Sequence, residues 1–302
     1  MKTRLPVVIQ GGMGIGVSNW QLAREVSRLG ELGVVSGTGL SSVFVRRLQD
    51  GDPGGSIRDA LKSFPDPTVR EEILAEYFVP GGIRRHTPYR RAPMYSMHSS
   101  RKLLRLTVAA NFAEVFLAKS GHEGKIGINL LEKIQLATLP SLYGAMLAGV
   151  DFVLMGAGIP REIPGVLDRL KAHEEASLKI AVEGASPEED HRVTFRPWEN
   201  FHFASLPRIE RPFFAPIVSS HALAESLLKK SNGKVDGFVV ENHSAGGHNA
   251  PPRGKMLISA SGEPVYGAKD EADFEKMKAL GVPFWIAGSF ASSCKLKEAL
   301  AL

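Results

Sequence analysis

The sequence predicts an α/β protein, a (β/α)8 barrel of the TIM-barrel type that stops before its last strand. Three observations predict it. Seven short runs rich in apolar residues lie near residues 7, 33, 127, 153, 215, 237 and 285. Stripes of apolar residues at helical spacing follow most of these runs, the alternation that builds a parallel sheet covered by helices. Each run also ends in small or polar residues, as the ligand-bearing rim of a parallel sheet does. A doubly wound sheet is the runner-up. One domain is expected over residues 1–302, with a helical insertion at 40–124 after the second strand and a second excursion at 183–211.

The elements follow in chain order. Val7-Val8-Ile9 is β-branched, closes in Gln10-Gly11-Gly12, and reads as a buried strand. Ser18 and Gln21 have the spacing of a capping box, and Leu22, Val26 and Leu29 would share the buried face of the helix, with Gly30 as its stop. Leu32–Ser36 is the next strand. Within the insertion, helices are expected near Ile57–Phe64, Val69–Phe78 and Leu103–Leu117, with a basic, proline-containing loop over Pro80–Ser100; this insertion would act as a lid or flank. The rhythm resumes at Ile126–Leu130, a strand. Leu139, Leu142, Tyr143, Met146 and Leu147 then repeat at helical spacing. Phe152–Met155, Leu178–Val182, Phe213–Val218, Val235–Val240 and Pro283–Ala287 read as strands. Helix faces are expected at Ile163–Leu170, Ala222–Leu228, Phe274–Leu280 and from Leu296 onward. Residues 183–211 are charged and aromatic with no clear period.

Composition removes several function classes. Of 302 residues, 43% are hydrophobic and 23% charged, enough apolar material for a large core and too much for a disordered chain. Cys294 is the single cysteine, so no intramolecular disulfide forms, and a reducing cytoplasmic compartment fits. No apolar run nears the ~18 residues of a membrane span, and the N-terminal apolar stretch is too short for a signal peptide. The net charge is +5, but it is local: Arg84, Arg85, Arg90, Arg91, Arg101, Lys102 and Arg105 fall in a stretch, Val79–Ala113, with no acidic residue. No nucleic-acid-reading motif accompanies it.

Two glycine-rich loops carry the chemistry. Gly12-Met13-Gly14-Ile15-Gly16 invites a dinucleotide fingerprint, but the third glycine would have to stand at Val17, and no acidic residue closes the second strand at Val35-Ser36-Gly37. The sharper segment runs from Asp236 through Glu241-Asn242-His243-Ser244-Ala245-Gly246-Gly247-His248 to Gly254. Its two glycines remove side chains from a loop that must approach something closely. A histidine directly after them can act as a base near neutral pH. Asn242-His243-Ser244 also matches a glycosylation sequon, which a cytoplasmic chain leaves unused.

Pro6-Val-Val-Ile-Gln-Gly-Gly-Met-Gly14, Gly127-Ile-Asn129-Leu, Ala245-Gly-Gly-His248 and Ile286-Ala-Gly-Ser289 occur in this order. Together they resemble the nitronate monooxygenase (2-nitropropane dioxygenase-like) flavoproteins over almost the whole chain outside the two excursions. The resemblance implies a barrel holding FMN across the carboxyl ends of its strands. Gly11, Gly12 and Met13 would line the flavin ring, and Asn129 would hydrogen-bond it. Glu241 would meet the flavin, Gly246 and Gly247 would approach its ribityl or phosphate arm, and Gly288 and Ser289 would form half the phosphate cradle. His248 falls on the catalytic histidine. Three departures from the family stand out: Glu241 stands where glutamine is common, Ser244 where glutamate is common, and no final strand with its phosphate loop follows. The last departure implies a truncated chain, weak FMN binding, and open strand edges that favour homo-oligomers.

The resemblance implies oxidation of alkyl nitronates and nitroalkanes with O₂. The related FMN enoyl-thioester (enoyl-ACP) reductases share the Gly-Gly-His loop and use NAD(P)H; on that alternative the stretch Arg84–Arg105 would dock an acidic carrier protein or the phosphates of a coenzyme A thioester. A non-catalytic barrel fragment is the third reading. No metal site, nucleic-acid partner or membrane partner is expected.

Overall fold

A computed structural model describes residues 4–186, 188–245 and 250–302. The chain divides into two compact units, residues 1–130, 134–153 and 165–212 in the first, and 131–133, 154–164 and 213–302 in the second. The fold is α/β, with parallel strands alternating with helices.

The first unit begins at a single parallel bridge, Ile9 to Leu32, in place of a full first strand. Helix α1 (Trp20–Arg28) follows. Its N-cap is Asn19, whose side chain accepts from Leu22 N at 3.0 Å, not the expected Ser18. Ser18 is buried and its hydroxyl bonds to the carbonyls of Gly11 and Met13 instead. The expected apolar face is likewise corrected. Leu22 and Leu29 are 42% and 84% exposed, and the helix buries Ala23 and Ser27. Close approach explains the inversion. A Cβ on Gly33 would lie 1.8 Å from the carbonyl oxygen of Ala23, so small residues face the strand and large ones are displaced outward.

Strand β1 (Gly33–Ser36) is followed by α2 (Leu40–Gln49), α3 (Ser56–Lys62), α4 (Pro67–Tyr77) and α5 (Arg101–Lys119). Asp66 and Ser100 cap α4 and α5 by accepting from Val69 N and Leu103 N. Helix α5 is buried along most of its length and belongs to the core of the unit. Strand β2 (Ile126–Leu131) pairs parallel with β1, Val35 opposite Ile128 and Ser36 opposite Asn129. Helix α6 (Thr138–Leu147) packs so closely on α5 that a Cβ on Gly144 would fall 2.2 Å from the Val108 carbonyl oxygen. Strand β3 (Phe152–Gly156) begins in the first unit and ends in the second.

Helix α7 (Ile163–Lys171) precedes β4 (Ala176–Lys179), β5 (Arg192–Phe195) and the short helix α8 (Pro197–Asn200). β4 and β5 form an antiparallel pair, so the excursion expected without a period carries a strand and a helix. Tyr143 Oη bonds His173 Nδ1 at 2.7 Å, and His173 Nε2 meets the Pro207 carbonyl at 2.8 Å. Glu114 is buried with Arg47 at 2.8 Å and accepts from Trp20 N, linking α1, α2 and α5.

The second unit contains β6 (Phe213–Val218), α9 (His221–Lys230), β7 (Phe238–Glu241), α10 (Phe274–Ala279), β8 (Phe284–Ala287) and α11 (Ser293–Ala301). β6 pairs parallel with β7, and β7 with β8. Strand β7 is buried through Val240, whereas every residue of β8 is partly exposed. Among the described residues, no helix is long and apolar enough to cross a membrane.

Candidate functional site

In the second unit, the carboxyl ends of the parallel strands open onto a pocket of about 470 Å³. That volume lies in the range of small-molecule sites. Its walls include Ile217 and Val218 at the end of β6, Glu241 and Asn242 at the end of β7, and Ala157 and Gly158 after β3. The location follows from the parallel arrangement, whose strands all deliver their loops to the same rim. Ala157 takes a φ of 56°, and a Cβ on Gly158 would collide with the Glu132 carboxylate at 1.9 Å, so this turn is tightly fixed.

The polar wall is built by two linked loops. His243 stacks on Tyr266 with ring centroids 4.5 Å apart and an interplanar angle of 13°. Asn242 Nδ2 donates to Glu271 at 2.9 Å, and His243 Nδ1 lies 3.6 Å from the same carboxylate. Asp270 accepts from the backbone N–H groups of Arg253 at 2.7 Å and Gly267 at 2.8 Å; these bonds hold its carboxyl below the ordinary value. Glu241 differs. Burial pushes its carboxyl upward, toward the protonated form that can donate a hydrogen bond. Lys133, also on the wall, is exposed and has no ion-pair partner among the described residues.

The residues singled out in the sequence fall into three groups. Gly11, Gly12, Met13 and Asn129 belong to the first unit. Gly12 is buried against Asn129, a built Cβ lying 2.9 Å from Asn129 Cβ and 2.3 Å from Val34 Cγ1. Nothing comes within 4 Å of a Cβ on Gly11, and Met13 is exposed. Asn129 is 4% exposed, yet its Oδ1 has no hydrogen-bond partner among the described residues. A buried amide oxygen left so calls for a donor from outside the described chain.

Glu241, Gly288 and Ser289 belong to the second unit and are brought together. Asn242 N donates to Ala287 O at 3.1 Å, and Ser289 Oγ reaches Ser244 O at 3.4 Å. Gly288 and Ser289 take φ values of 95° and 60°, so the chain turns sharply at the end of β8. A side chain at 288 would be strained and would press on Asn242 Cβ at 2.9 Å. Gly246, Gly247 and His248 lie outside the described residues.

Tyr266, Asp270 and Arg253 were not among the sequence-predicted site residues. They fall in a stretch after β7 with no helical or strand period, and no local pattern marks them. No family model matches the chain, and neither does any curated protein.

Proposed function

We propose that this chain is an FMN-dependent oxidoreductase of the nitronate monooxygenase type, acting in the cytoplasm on a fold of the (β/α)8-barrel type. The observation that carries the reading is the unpartnered Oδ1 of buried Asn129 beside Gly12, at the residues the motif order assigns to the flavin ring. An isoalloxazine offers an imide N–H that satisfies such an acceptor, and Gly11 beside it leaves open space for a flat ring. In the second unit the sharp Gly288–Ser289 turn brings backbone close to the rim, as an anion-binding loop requires. Bound FMN would accept electrons from the substrate and deliver them to O₂.

The chain's own residues divide the remaining work. Within the first unit, Gly11, Gly12, Met13 and Asn129 would hold the ring. Glu241, whose carboxyl is pushed upward by burial, would meet the flavin at the position where glutamine is common in the family. His248 would take the carbon-bound proton of a neutral nitroalkane. The pocket wall carries both signs, and Arg253 lies 3.9 Å from Asp270, so Lys133 is the cation that would meet an anionic substrate such as a nitronate.

Oxygen uptake by the FMN-loaded protein tests the reading. His248→Ala should slow turnover of neutral nitroalkane at least about a hundredfold, the usual range for a general base, and preformed nitronate much less. Equal loss on both substrates would remove His248 from the base role. Absence of uptake with either substrate in the parent protein would remove the reaction.

A further inference from the structure

The positive charge of this chain is gathered on one segment that the proposed chemistry does not use. Its seven basic residues separate into two groups in the first unit. Arg90 and Lys102 both pair with Glu76, at 3.2 and 2.5 Å, Arg105 pairs with Glu72 at 2.8 Å, and Arg101 bonds His202 at 3.2 Å. Arg84, Arg85 and Arg91 are exposed and have no ion-pair partner among the described residues. Arg46 has none either, and its guanidinium lies over the Tyr89 ring at 5.5 Å.

The segment carrying these arginines is pinned in place. Buried Gln49 clamps the backbone of Arg90 from both sides: Arg90 N donates to Oε1 at 2.7 Å, and Nε2 donates to Arg90 O at 2.9 Å. Tyr89 Oη donates to Asp50 at 2.6 Å. Further along, the Tyr95 hydroxyl bonds that of Thr107 at 2.6 Å and lies 3.3 Å from Ser41 Oγ. A buried amide is tolerated where its bonds are made, and here those bonds fix a surface strap. Unpaired like charges repel, so a fixed strap that exposes them is a feature that a bound anion would relieve.

We propose that the strap over residues 83–91 is a docking surface for an acidic segment of a partner protein, gripped by Arg84, Arg85 and Arg91. Guanidinium forks match carboxylates in bidentate geometry, and a pre-set strap loses little freedom on binding. The chemistry favours a compact acidic segment over nucleic acid. Without the seven basic residues the rest of the chain is slightly acidic, which opposes a long polyanion running past the strap. Arg46 lies over one face of the strap's own ring, Tyr89, at 5.5 Å, and a base would have to compete with it for that face.

Fluorescence anisotropy with a labelled oligoglutamate peptide, and with a short labelled DNA duplex, tests the proposal at about 50 and about 200 mM salt. The peptide should bind, more tightly at low salt, and the duplex more weakly than the peptide. Combining Arg84→Gln, Arg85→Gln and Arg91→Gln should weaken peptide binding at least about tenfold. These side chains are exposed, so the melting temperature should hold. Combining Lys171→Gln, Lys230→Gln and Lys297→Gln removes the same charge from exposed positions elsewhere and should leave binding unchanged. Gln49→Ala, which keeps every charge, should weaken binding several-fold by loosening the strap. No binding to the parent, equal weakening by the lysine set, or tighter binding of the duplex would each overturn the proposal.

Discussion

Adjacent glycines at 11 and 12 should respond in opposite ways to one added methyl group. At Gly12 a Cβ would sit 2.3 Å from Val34 Cγ1 and 2.9 Å from Asn129 Cβ, against a comfortable carbon–carbon separation of roughly 3.5–4.0 Å. Neither neighbour yields easily. Val34 is fully buried and β-branched, and Asn129 Cβ is fixed by the backbone of β2. Gly12→Ala should therefore destabilise the protein by about 1–3 kcal/mol, the usual range for an overpacked core. At Gly11 nothing lies within 4 Å, so Gly11→Ala should leave stability within about 0.5 kcal/mol of the parent. If that open space receives the flavin ring, the same change should weaken FMN binding about tenfold, or about 1.4 kcal/mol. Urea unfolding followed by tryptophan fluorescence reads the first effect, and FMN titration the second. A Gly12→Ala midpoint equal to the parent's would refute the packing argument. A Gly11→Ala protein that binds FMN as the parent does would refute the assignment of Gly11 to the cofactor.

Two further outcomes follow from buried polar groups. His173 Nε2 faces a carbonyl and so carries the proton, leaving Nδ1 to accept from Tyr143; Tyr143→Phe strands that nitrogen and should cost about 1–3 kcal/mol in urea unfolding, and an unchanged midpoint would exclude this tautomer. Glu241 has its carboxyl raised by burial, so the folded protein holds this proton more tightly than the unfolded chain. Its contribution is fully present below the ordinary carboxyl value of 4.5 and is lost as pH rises through the raised native value. Glu241→Gln should flatten that fall when melting temperature is followed from about pH 4 to about pH 8, and a curve parallel to the parent's would contradict the assignment.

Much of the fold is legible where local and tertiary signals agree. The stripe from Leu139 to Leu147 is recovered as α6 because nearly every side of that helix is buried. The strand at Ile126–Leu130 is recovered as β2 because both its faces are covered, so an unbroken apolar run is what its environment requires. The failures have physical causes. Helix α2 carries no clear local signal because its sequence, LSSVFVRRLQ, mixes serines and β-branched valines, and its N-cap is Gly39 at a φ of 76° with no capping side chain. On α1 the large residues mark the exposed side, since contact with Gly33 is made through Ala23. The strand expected at Leu178–Val182 overlaps β4, but its partner β5 is hidden because it is four residues long and lies across a long charged connection.

The site was legible in part for similar reasons. Glu241, Gly288 and Ser289 stand at strand ends, where the parallel arrangement itself marks a rim, and they do converge there. Asn129 was marked by its strand, but its unpartnered oxygen depends on neighbours that no local pattern shows. Tyr266 and Asp270 reach the pocket through a loop whose course is set by hydrogen bonds to Arg253, Gly267 and Ala250 and by a ring stack, none of which has a sequence period.

The most direct test of the central claim is titration of the purified chain with FMN, followed by quenching of flavin fluorescence. Saturable one-to-one binding, weakened by Gly11→Ala while the protein stays folded, is the predicted result. Quenching that never saturates, or saturable binding indifferent to substitution at Gly11 and Asn129, would contradict the account.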